Sequence, residues 1–106
     1  RELALHDPLT GLLNRRGMDG VVAHHLVGPR HLALLLCDLN GFKQINASHG
    51  HLAGDIVLQH FAARIGQLSI PGHRIDPIRL GGDEFVILVS TDDPAFDHKA
   101  IAREVL

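Results

Sequence analysis

Two adjacent acids, Asp83 and Glu84, follow the glycine pair Gly81-Gly82 and precede an unbroken apolar run from Phe85 to Val89. Tandem glycines permit a tight turn with positive φ and let a ligand approach the backbone, while a β-branched and aliphatic run favours a strand. Carboxylates held at the tip of such a hairpin can bind Mg²⁺, a hard cation that takes oxygen ligands. A third acid, Asp38, ends another apolar run, Leu32 to Cys37. That run reads as a buried central strand, and an acid at its C-terminal end lies at the rim of the sheet, where open α/β folds place ligand groups. Asp38 and Asp83 are therefore expected to face one another across neighbouring strands. Taken singly, an acidic turn is more often a solvated hairpin tip, and a strand-end acid a cap for the next turn. Their pairing is what favours a metal site.

The elements that must position these acids can be read along the chain. Asp7-Pro8 interrupts an incoming helix, so residues 1–6 read as the end of an upstream linker helix and residues 7–106 as the domain. Asn14 is placed to cap a helix from about Arg15 to Val27, stopped by Gly28-Pro29. The first strand is expected over Leu32 to Asp38, then a loop and a short helix around Phe42 to Ser48, closed by Gly50. From Leu52 to Leu68, Ile56, Val57, Leu58, Phe61, Ala62 and Ile65 recur every three or four residues, as in an amphipathic helix packed on that strand. Ser69 to Pro77 reads as a loop, Ile78–Leu80 and Glu84–Ser90 as the paired hairpin strands, and Phe96 to Leu106 as the start of another helix. The expected class is α+β, a sheet with helices packed against it.

Four blocks, Asp7-Pro8-Leu9-Thr10-Gly11-Leu12-Leu13-Asn14-Arg15-Arg16, Asp38 to Asn46, Gly50 to Asp55 and Arg79-Leu80-Gly81-Gly82-Asp83-Glu84-Phe85, occur in one order and at compatible spacings. Together they resemble the GGDEF family of bacterial diguanylate cyclases. The resemblance implies a ferredoxin-like palm fold shared with nucleotide cyclases, with a central, mostly antiparallel sheet. It implies an enzyme that condenses two GTP into cyclic di-GMP with release of pyrophosphate, working as a homodimer under an upstream sensory domain. Two Mg²⁺ or Mn²⁺ ions per site are implied, held by Asp38, the Leu39 carbonyl, Asp83 and Glu84. Asp83, Glu84 and Lys43 are implied to carry the chemistry.

Substrate contacts implied by the same match are Asn40, Gly41, Phe42 and Lys43 on the phosphates, Asn46 and Asp55 on guanine, and Arg79, Gly81 and Gly82 around the hairpin. The chemistry suits these types: backbone N–H groups beside a glycine cradle phosphate oxygens, lysine adds a point charge, and an amide with a carboxylate can read guanine. Phe42 is expected to anchor the core as well. Three departures stand out. Asn40 occupies a place where the family often has another aspartate. Arg74 and Asp76 are two apart, one residue short of the family's inhibitory Arg-x-x-Asp register. The family domain also continues with strands and a basic helix that these residues lack. A non-catalytic GTP-binding regulatory module is accordingly the alternative reading.

Bulk properties fit this picture. With 106 residues and 45% apolar content, the chain can bury one modest core. A net charge of −2 with only Lys43 and Lys99 as lysines offers no basic face for nucleic acid or an anionic membrane. The single Cys37 forms no intrachain disulfide, reads as a small core hydrophobe and suits the cytoplasm, for a soluble protein or the cytoplasmic part of a membrane-anchored one. His24-His25 and His49-Gly50-His51 invite zinc, yet closed zinc sites need four N or S ligands, and His51 matches the family's Gly-His turn.

Overall fold

A computed structural model describes residues 4–25, 27, 31–93, 97, 99 and 103. The elements run α1 (Arg15–His25), β1 (His31–Asp38), α2 (Phe42–His49), α3 (His51–Ile65), β2 (Arg74–Gly81) and β3 (Glu84–Thr91). All strand pairs are antiparallel, in the order β1-β3-β2. Asn14 caps α1 as expected: its Oδ1 accepts the Gly17 N–H at 2.9 Å. The expected helix at Phe96 to Leu106 lies outside the described residues. Ala4 to His6 are not helical. His6 bridges to Leu13, and the Leu5 carbonyl accepts the Asn14 N–H at 2.9 Å, so this segment is strapped across the domain's first loop.

Among the described residues the central strand of the sheet is β3. Because side chains alternate across a pleat, Phe85, Ile87 and Val89 enter one core with Leu58, Ala62 and Ile65 of α3, while Val86 and Leu88 meet Met18, Val21 and Val22 of α1 on the other face. Coverage on both faces is why Phe85 to Thr91 are all buried. Phe61 adds an edge-to-face contact to Phe85 at 4.8 Å. In contrast, β1 is an edge strand among the described residues. Leu35 and Cys37 pack toward α3, but Leu34 and Leu36 are 57% and 68% exposed, because α1 lies over the β2 side of the sheet. Ile56, assigned to the buried stripe of α3, is also exposed.

The segment expected to be a loop before the hairpin contributes half of β2, which starts at Arg74 and contains Pro77. Proline lacks the N–H needed inside a sheet, but β2 is at an edge, where one strand face has no partner. Phe42 does anchor the core, packing against the α3–β3 cluster. No helix among the described residues is long and apolar enough to cross a membrane.

Candidate functional site

The β1–β3 register ends with Asp38 directly opposite Glu84, and Asp83 occupies the adjoining turn. Directly opposed Cβ atoms in an antiparallel pair stand about 4.5–5.5 Å apart, and like charges so placed repel. The hairpin turn that carries Asp83 depends on Gly81 and Gly82, whose φ values are 151° and 49°. Sequence reasoning paired Asp38 with Asp83. The structure makes Glu84 the register partner and brings all three acids to one open cleft of about 390 Å³, lined also by Leu39, Asn40, Gly41, Phe42, Lys43 and Gln44.

The floor of the cleft is the start of α2. Gly41, at φ 79°, turns the chain from β1 into the helix, and no side chain caps it. The first N–H groups of a helix lack intrahelical partners and carry the positive end of its dipole, so an uncapped start attracts anions. Among these, the Phe42 N–H reaches the Leu39 carbonyl at 3.4 Å, a long bond. Lys43 is exposed at the same end. Gln44 was not anticipated; nothing in its sequence context distinguishes it from a solvent-facing helix residue.

As a donor set, this corner suits a cation that shares its shell with phosphates rather than one caged by protein. Among the described residues no three His, Cys, Asp or Glu side chains cluster closely enough to hold a metal alone. Mg²⁺ normally takes one or two carboxylates and completes its shell with water and phosphate oxygens. The opposed pair Asp38 and Glu84, with Asp83 beside them, fits that requirement, and a cation would relieve their repulsion.

Asn46 and Asp55 lie beyond the cleft, on the last turn of α2 and in α3. Both are partly buried, and Asn46 Oδ1 is buried with no hydrogen-bond partner. Asn46 is five positions after Gly41, a rise of about 7.5 Å along α2. The two ends of α2 thus present an anion-attracting start and an amide-bearing finish on a nucleotide's length scale.

Arg79 does not line the cleft. Its Nη1 donates to both Asp7 oxygens at 3.1 and 3.2 Å, and its Nε and Nη2 donate to the Gly82 carbonyl at 3.1 and 3.0 Å. Asp7 Oδ2 also accepts the Thr10 N–H and hydroxyl at 2.8 and 2.7 Å. Burial pushes the Asp7 carboxyl up, but the Thr10 and Arg79 hydrogen bonds outweigh it and hold the group below the usual carboxylate range. Arg79 therefore ties the first loop to the hairpin turn through the Gly82 carbonyl. Asp7 and Thr10 belong to the first family block but carry no expected role as an anchor; an Asp with a Thr three residues on is the Asx-turn signal that marks one. Arg74 and Asp76 pair with each other at 3.0 Å on β2.

Residues 4–106 match the profile of the family described as diguanylate cyclase, GGDEF domain. The response regulator PleD of Caulobacter vibrioides is 44% identical over 109 residues, covering 98% of this chain and 23% of PleD. The bifunctional diguanylate cyclase/cyclic di-GMP phosphodiesterase MucR of Pseudomonas aeruginosa is 41% identical over 110 residues, covering 99% of this chain and 16% of MucR. Among solved structures, the GGDEF domain of DgcB from Caulobacter crescentus, in complex with c-di-GMP, superposes with a TM-score of 0.75 at 28% identity, covering 99% of this chain and 60% of that one. A GGDEF-only form of PA1120 from Pseudomonas aeruginosa gives 0.72 at 38% identity, covering 94% and 59%. The chain spans less than half the length of the curated relatives it matches.

Proposed function

This chain belongs to the GGDEF family of diguanylate cyclase domains, and from that premise we propose that the full-length protein condenses two GTP molecules into cyclic di-GMP, releasing two pyrophosphates. The observation that carries this reading is the register that sets Asp38 against Glu84, with Asp83 in the adjoining turn, over the uncapped start of α2.

Each domain would seat one GTP along α2. The N–H groups of Asn40 and Gly41 and the Lys43 ammonium would take the phosphates, and Asn46 and Asp55 the base. Asp55 would accept from guanine N1–H and N2–H₂, donors that adenine does not present in that arrangement. Asp38, the Leu39 carbonyl, Asp83 and Glu84 would hold Mg²⁺, which when bound polarises the α-phosphate and stabilises the departing pyrophosphate. Glu84 would also accept the proton of the attacking ribose 3′-hydroxyl. Because each half-site holds one nucleotide, two domains must meet face to face, and proximity then supplies much of the rate. Arg79 would act at a distance, fixing the hairpin turn through Gly82.

Incubating the full-length protein with Mg²⁺ and GTP and identifying the nucleotides by mass spectrometry tests this directly. Cyclic di-GMP with pyrophosphate is the expected product, and its absence under conditions where GTP binds would defeat the cyclase reading. Asn40 in the cleft, where a further carboxylate would strengthen cation binding, favours one alternative: a regulatory module that binds GTP without turning it over.

A further inference from the structure

Gly54 is buried in α3 and faces Asn46 across the α2–α3 corner. A Cβ at position 54 would collide with Asn46 Oδ1, stand 2.9 Å from Asn46 Cγ and 3.3 Å from Phe42 Cε1. Gly54 sits inside a regular helix, where glycine is less favourable than alanine. Space for the Asn46 carboxamide, not backbone freedom, is what the glycine provides.

The same contact takes up one end of the carboxamide. Oδ1 is the Asn46 atom that is buried without a partner, and it lies against Gly54. A carbonyl oxygen tolerates that place because glycine Cα–H groups make weak contacts to oxygen. Nδ2 is thereby left as the outward donor. A donor engages the ring acceptors that purines share, while only Asp55 reads the N–H groups particular to guanine. We propose that Gly54 is a positioning residue for nucleotide recognition: its missing side chain seats Asn46 so that the amide donates to the purine, leaving guanine selection to Asp55. This rests on the reading that GTP lies along α2.

The test is Gly54→Ala in the full-length protein, alone and with Asn46→Ala, measured with GTP and with ITP, which keeps N1–H and the ring acceptors but lacks the N2 amine. Gly54→Ala is expected to raise KM for both nucleotides about tenfold, the loss of one hydrogen bond, with kcat within about twofold and the GTP-to-ITP ratio unchanged. In the Asn46→Ala background, Gly54→Ala should add nothing, because the colliding group is gone. An unchanged KM, or the same tenfold loss in the Asn46→Ala background, would overturn the proposal. Should Gly54→Ala fail to fold, the double variant must recover a cooperative thermal transition; a double variant that stays unfolded also overturns it. Wild-type protein that binds neither nucleotide would instead sink the function above, while the thermal comparison still reports on the Gly54–Asn46 contact.

Discussion

The two ends of the β-hairpin turn treat their polar groups in opposite ways. On the Arg79 side, Asp7, Thr10, Arg79 and the Gly82 carbonyl hydrogen-bond one another, in a region where Arg79 and Asp7 side chains are only 14% and 16% exposed. On the other side, Asp38, Asp83, Glu84 and the start of α2 face an open cleft with like charges in register and no helix cap. One region spends its hydrogen-bonding capacity on holding the fold. The other keeps its capacity available, and the strap fixes the turn that the cleft depends on.

That contrast can be broken from either side. The largest effect should come from Asp83→Ala, expected to lower cyclic di-GMP formation by about 10²–10³-fold or more through loss of charge stabilisation, with a thermal midpoint within a few degrees of wild type. A product assay and a melt on one preparation separate the two. Arg79→Ala should behave inversely, costing about 2–3 kcal/mol because it strands a largely buried carboxylate. That is roughly a 10 °C or larger drop in Tm for a domain of this size, while guanine selectivity is retained.

Acid titration sharpens the same comparison. Since the folded Asp7 carboxyl lies below its ordinary range, its contribution is present above the unfolded-state pKa and is lost as pH falls through the lowered folded-state value. Asp7→Asn should therefore flatten the acid limb of the stability profile, a difference that chemical denaturation across pH 2–6 would register. The smallest effect concerns Glu84→Gln. Removing one of two opposed charges should stabilise the metal-free protein by about 0.2–1 kcal/mol, a gain visible in low-salt melts and absent when Mg²⁺ and GTP are added. A drop in metal-free Tm would show that the pair is not repulsive.

The cleft was legible because its chemistry sits in short local motifs: glycines before acids, and an acid ending an apolar run. What was not legible depended on partners remote in sequence. Both β1 and β3 are apolar runs, and nothing in His31 to Cys37 reveals that α1 covers the β2 side and leaves Leu34 and Leu36 exposed. Pro77 bounds the expected loop, yet β2 tolerates it at an edge, a fact of topology rather than propensity. Arg79 lies beside the glycine pair, yet the carboxylate it bonds, Asp7, is 72 residues away. The Gly54–Asn46 contact likewise forms only when α2 and α3 meet at Gly50.

On this reading, carboxylates from β1 and the β2–β3 hairpin would hold divalent cations against a purine triphosphate. Crystals of the full-length protein grown with Mn²⁺ and a non-hydrolysable GTP analogue, with anomalous data collected at the manganese edge, address it most directly. Peaks within ~2.0–2.3 Å of oxygens of Asp38 and of Asp83 or Glu84, in contact with the analogue's phosphates, are the predicted result. A nucleotide seated elsewhere, with no manganese at Asp38, would contradict it.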